Sequence, residues 1–142
     1  MEALYTAIVT AEGGRNGKVT SVDGILELNV RMPKALGGTG EEGTNPEQLF
    51  AAGYAACFDS ALNLVARMKK VQHSGTDVTA HVSISKAVDG GFELAAQLHV
   101  NVDGVERDQA EELVRAAHGV CPYSRATRGN IDVKLVVNGQ PI

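Results

Sequence analysis

Residues Leu4 to Ala11 run or alternate apolar in strand fashion, Val19 to Val22 does so again, and Asp23-Gly24 reads as a two-residue hairpin turn before Ile25 to Val30. Three strands are therefore expected first. A glycine-rich loop, Gly37 to Gly43, leads to Thr44-Asn45-Pro46-Glu47-Gln48, where Asn45 can cap a helix, Pro46 suits its first position and Gln48 can reach back as in a capping box. That helix is predicted to run to about Lys70. From Leu49 to Val65 it has almost no polar face, which predicts burial on most sides. Two long strands follow, Val78 to Ala87 and Phe92 to Val102, joined by Asp89-Gly90-Gly91. Arg107 to His118 has the spacing of an amphipathic helix stopped by Gly119. Cys121-Pro122 opens a short helix that stops at Gly129, and Ile131 to Val137 is the last strand.

The order is that of an α+β fold, and 142 residues are enough for one domain, 1–142, with one sizeable core. A formal charge of -4 argues against the broad basic face that nucleic acid or anionic lipid requires, so neither is an expected partner. No uninterrupted apolar run approaches the roughly 20 residues of a bilayer span, and the first residues lack a basic start followed by a greasy stretch. A cytoplasmic protein without a membrane partner is expected.

Two cysteines, Cys57 and Cys121, are too few for a disulfide scaffold or a four-thiolate zinc site. The four histidines share no spacing typical of zinc ligands, so no metal is expected. Gly38-Thr-Gly40-Glu-Glu-Gly43 formally matches a dinucleotide fingerprint, but Glu41 and Glu42 would repel a pyrophosphate and the helix starts too late. The thiols remain. Cys57 lies mid-helix in apolar surroundings, where burial raises a thiol's pKa and the helix dipole no longer acts. At a pKa near 8.5 about 3% of a thiol is ionised at pH 7, against roughly 90% at a pKa near 6, a difference of about 3.4 kcal/mol. A reactive Cys57 thus requires a cation from elsewhere in the chain or from a partner subunit. Arg15, in the turn Gly13-Gly14-Arg15-Asn16-Gly17, is such a guanidinium, although solvated loop charge is the commoner fate of its kind. Cys121, at a helix start with Arg125 and Arg128 nearby, is by local physics the better nucleophile. Phe50, Tyr54, Phe58 and Tyr123 lie beside the cysteines, either as core or as an apolar site for a hydrocarbon tail worth about 0.8 kcal/mol per buried methylene.

Two stretches, Thr44-Asn-Pro-Glu-Gln-Leu-Phe-Ala-Ala-Gly-Tyr-Ala-Ala-Cys57-Phe and His118-Gly-Val-Cys121-Pro-Tyr-Ser-Arg-Ala-Thr-Arg-Gly-Asn130, resemble the signatures of organic hydroperoxide resistance proteins of the OsmC-like superfamily. With the Gly-Gly-Arg turn and the order of elements, the resemblance extends over essentially the whole chain. It implies antiparallel sheets packed around a long central helix in an intertwined homodimer. It also implies a peroxidase that reduces organic hydroperoxides to alcohols, with Cys57 as peroxidatic thiolate, Cys121 as resolving thiol, Arg15 stabilising the thiolate and Glu47 pairing with Arg15. Phe50, Tyr54, Phe58 and Tyr123 would then bind substrate. No bound cofactor is implied, dihydrolipoamide or lipoylated proteins being the electron donors. An OsmC-type enzyme of broader peroxide taste and a non-enzymatic redox sensor are the competing readings. Glu47 precedes Cys57 by ten residues, about 15 Å of helix axis, so a pair serving Cys57 is expected to draw on both subunits or on a chain folded back.

Overall fold

The computed structural model describes residues 1–142 and divides them into two compact units, Met1–Leu49 and Phe50–Ile142. In the first unit, β1 (Val9–Glu12), β2 (Gly17–Ser21) and β3 (Glu27–Val30) form an antiparallel sheet in that order. The predicted first strand is cut short because β2 ends at Ser21, opposite Val9; one further bond, from the Val22 N–H to the Ile8 carbonyl, closes the pairing, and the residues before Ile8 have no strand to pair with. Leu4, Tyr5 and Ile8 are left exposed. The turn after β2 also differs from the expected two-residue hairpin. Ser21 pairs with Leu26 across four loop residues, and Asp23 Oδ1 accepts from both the Ser21 hydroxyl and the Ile25 N–H. An aspartate that bonds its own backbone two residues on favours this wider turn.

Between β1 and β2 a single 3-10 turn, Gly14–Asn16, carries Arg15. Gly13 and Gly14 take positive φ values of 79° and 58°, and a Cβ on Gly17 would lie 1.7 Å from the Glu12 carbonyl oxygen. The glycines are thus what lets the chain double back with the guanidinium at its tip. The loop after β3 returns to the edge of its own sheet, where Thr44 bonds Asn29 and Arg31 through the backbone.

Helix α1 (Pro46–Met68) begins as the sequence predicts: Asn45 Oδ1 accepts from the Gln48 N–H at 2.8 Å. The Gln48 side chain meets the Thr44 hydroxyl rather than reaching back to the cap residue. With 23 residues and a mean hydropathy of 1.4 over an 18-residue stretch, α1 is long and apolar enough to cross a bilayer by length and composition. Glu47, Asp59 and Arg67 interrupt its apolar run, and one stripe of it packs in the protein core.

In the second unit, β4 (Gly75–Lys86), β5 (Phe92–Asp103), β6 (Val133–Val137) and β7 (Gln140–Pro141) form one sheet in that order. The hairpin β4–β5 turns at Asp89-Gly90-Gly91 as expected, with Gly90 at φ 92°. This sheet is mixed, not purely antiparallel: β6 runs parallel to β5. Two helices, α2 (Arg107–Val120) and α3 (Pro122–Thr127), supply the crossover that a parallel pair needs.

The core follows from two periods meeting. Tyr54, Phe58, Ala61, Leu62, Val65 and Ala66 recur at helical spacing on α1, and Ala96, Leu98, Val100 and Val102 alternate along β5. Ala110, Leu113, Val114 and Ala117 of α2 complete the cluster. Only one stripe of α1 is buried, not most of its sides, because the unit has a packing surface on one side of it; Ala52, Ala56 and Leu64 remain exposed.

Candidate active site

Cys57 sits on α1 three residues after Tyr54, at the edge of the buried stripe and partly exposed. Cys121 is the single residue between α2 and α3, extended at φ -62° and ψ 123° and wholly buried. Both are free thiols. The fold brings them together. The Cys57 thiol is pushed above the ordinary thiol range, first by burial and then by the neighbouring Cys121, close enough that charge on one opposes charge on the other. One group pulls the other way, the backbone N–H of Tyr123, a donor that favours the ionised sulfur. Pro122 has no N–H, so Tyr123 offers the first free donor of α3.

The second pair lies in the first unit. Arg15 donates from both terminal nitrogens to the two carboxylate oxygens of Glu47, at 2.8 and 2.6 Å. Both side chains are partly buried, at 28% and 14% exposure. This is the bidentate geometry in which a guanidinium holds a carboxylate best. The bond from Arg15 is the main cause that keeps Glu47 below the usual carboxylate range, and Glu47 in turn raises Arg15. Two of the five guanidinium N–H groups are used on Glu47, so three stay available for another acceptor.

A depressed carboxylate contributes stability that is present above its unfolded pKa of about 4.3 and lost as pH falls through its folded value. Thermal melts of the wild type and Glu47→Ala should therefore differ at pH 6, and the gap should narrow as the pH is lowered below about 4.3. A gap that did not narrow on acidification would mean the pair is not what Glu47 contributes.

The four aromatic candidates separate. Phe50 and Tyr123 line a cavity of about 590 Å³ with Phe92, Leu94, Ala126 and Ile131. Their rings meet edge to face at 6.1 Å. Tyr123 lies over Gly53, where a Cβ would come within 2.5 Å of its hydroxyl oxygen. Tyr54 and Phe58 are fully buried and do not line this cavity. The Tyr54 hydroxyl instead joins a polar cluster: it lies 2.8 Å from Ser124 Oγ and 3.3 Å from Thr127 Oγ1, and His118 Nδ1 lies 2.8 Å from Ser124 Oγ. His118 is held below the usual histidine range, first by burial and then by Arg128. Sequence reasoning passed over Ser124 and Thr127. The available signal was a pair of hydroxyls three residues apart on a short helix, which bury only when something bonds them.

The family of OsmC-like proteins matches residues 38–136. Over 142 residues the chain is 56% identical to the organic hydroperoxide resistance protein OhrA of Bacillus subtilis, covering 96% of this chain and 97% of that one. The chain belongs to the OsmC-like family. Within it the chain groups with organic hydroperoxide resistance proteins. The crystal structure of one from Elizabethkingia anophelis is 56% identical, with a TM-score of 0.92 over 96% of this chain and 98% of that one. OhrB of Bacillus subtilis is 51% identical, with a TM-score of 0.87 over 95% and 99% of the two chains. The α+β architecture, with two sheets and a long helix, is the one these family members share.

Proposed function

We propose that this chain is a thiol peroxidase that reduces organic hydroperoxides to alcohols. The observation that carries the reading is the pair of neighbouring free thiols, one partly exposed and packed against the core cluster that holds the other, in a chain 56% identical to a protein named for organic hydroperoxide resistance.

In the proposed reaction the Cys57 thiolate attacks the terminal oxygen of the hydroperoxide. The O–O bond breaks, the alkoxide takes a proton and leaves as the alcohol, and Cys57 becomes a sulfenic acid. The Cys121 thiolate then attacks the Cys57 sulfur, forming a disulfide and expelling hydroxide. A dihydrolipoyl dithiol, free or on a lipoylated protein, takes over the disulfide by exchange and regenerates both thiols. No bound cofactor enters. Phe50 and Tyr123 offer apolar surface for the alkyl group.

Because burial and Cys121 oppose ionisation of Cys57, the reading requires a cation at the sulfur, and Arg15, already oriented by Glu47 and with donors to spare, is assigned that role. The uncovered apolar residues Ala52, Ala56 and Leu64 on α1, with Leu4, Tyr5 and Ile8, favour a homodimer. The cytoplasm, where thiols are kept reduced, is the compartment that suits the chemistry.

The test is to supply reduced protein with cumene hydroperoxide and dihydrolipoamide and follow peroxide loss. Multiple turnovers are expected, with a Cys57–Cys121 disulfide seen by mass spectrometry when the reductant is withheld. Two free thiols after peroxide treatment would overturn the reading. Equal rates with hydrogen peroxide and cumene hydroperoxide would favour an enzyme of broader peroxide taste.

A further inference from the structure

The cluster around Ser124 joins the element that carries one sulfur to the element that carries the other. Tyr54 lies on α1 three residues before Cys57, and Ser124 lies on α3 three residues after Cys121. Their side-chain oxygens are 2.8 Å apart and both residues are fully buried. His118, on the last turn of α2, reaches the same Ser124 oxygen from the other side of Cys121. Thr127 donates to the Ser124 carbonyl at 3.1 Å. One direction of donation fills all four contacts: His118 Nδ1–H to Ser124, Ser124 to Tyr54, Tyr54 to Thr127, and Thr127 back to the Ser124 carbonyl. Every hydroxyl proton is then used, and the cluster closes on itself.

Such a chain in a buried setting is rigid, because breaking any link leaves an unpaired polar group out of reach of water. It surrounds the one residue, Cys121, at which the backbone leaves α2 and starts α3 in an extended conformation. Without a brace this joint could swing about Cys121 while both helices stayed intact.

We propose that Tyr54, Ser124, His118 and Thr127 form a positioning device that holds the Cys121 sulfur against Cys57, so that disulfide closure outruns a second oxidation. The inference rests on the peroxidase reading above. After the first step Cys57 is a sulfenic acid with two fates. Either Cys121 attacks its sulfur and water is formed from the departing hydroxide and a proton, or a second hydroperoxide transfers oxygen to it, giving the sulfinic acid and a second alcohol. The first fate is intramolecular and depends on the relative placement of the sulfurs. The second depends only on hydroperoxide concentration. Ser124 and its partners are positioning residues, acting through Cys121 and not on the substrate. A misplacement of about 1 Å can cost up to about a hundredfold in such a step.

The experiment measures, for wild type, Ser124→Ala, Tyr54→Phe and the double variant, the cumene hydroperoxide concentration at which half the protein ends as Cys57 sulfinic acid, read by mass spectrometry in single-turnover mixtures. Circular dichroism at the same temperature checks folding. Each single variant should lower that concentration about tenfold while staying folded, and the double variant should match the singles, since all three break one chain. Tyr54→Phe keeps the ring in the core, so it serves should Ser124→Ala fold poorly. A merely structural role would lower the melting temperature and leave the half-point unmoved, and that result overturns the proposal. So do single effects that multiply in the double variant. If the wild type itself forms no Cys57–Cys121 disulfide, the peroxidase reading falls instead.

Discussion

Cys57→Ser should reduce consumption of cumene hydroperoxide to the uncatalysed level, a loss of three orders of magnitude or more, whereas Cys121→Ser should react once and stop. The asymmetry follows from the chemistry. A serine hydroxyl is scarcely ionised at neutral pH and cannot displace an alkoxide from a peroxide oxygen, so nothing at position 57 starts the reaction. With Cys121 replaced, Cys57 still meets its first hydroperoxide, but no neighbouring sulfur receives the sulfenic acid and the next equivalent drives it to the sulfinic state. Single-turnover peroxide loss with mass spectrometry of both variants separates the roles. Sustained turnover by the Cys57 variant would exchange the two roles.

Arg15→Ala should slow the first oxidation by tenfold or more at pH 7 and move its pH profile upward. Burial, then Cys121, lifts Cys57 above the ordinary thiol range. An acid whose pKa is raised is mostly protonated at neutral pH, and its reactive fraction rises about tenfold per pH unit until the pKa is reached. A guanidinium near the sulfur lowers that pKa, so the wild-type rate should level off near neutrality while the Arg15→Ala rate keeps climbing. Raising the thiolate fraction from about 3% to roughly 90% at pH 7 takes about 3.4 kcal/mol, within reach of one well-placed cation. Stopped-flow oxidation from pH 5 to 9 gives both curves. Superimposable profiles would remove Arg15 from the mechanism.

Much of this was legible along the chain for definite reasons. Asn45-Pro46 could only cap a helix, Gly90 could only turn a hairpin, and Cys121-Pro122 could only end one helix and open another. The signals that misled were those needing a neighbour. Leu4 to Ile8 carries a strand pattern, but its pairing depends on where β2 stops. The apolar sides of α1 predict burial on most sides, yet this chain has core for only one of them. Tyr54 looked like a wall for substrate because its ring is apolar; what fixes its place is the hydroxyl, whose partners are 70 and 73 residues away. Charge on a sulfur is equally non-local. It depends on a backbone N–H and a second sulfur that folding delivers, neither of which spacing reveals.

The missing side chain at Gly53 sets the width of the apolar chamber from a distance. A methyl group there would run into the Tyr123 oxygen, and the ring, as the movable party, would have to shift within the chamber that it lines with Phe50 and Ile131. On the proposed reading, one substitution on a neighbouring helix thus changes the fit of slim against bulky alkyl groups, with neither sulfur nor guanidinium touched.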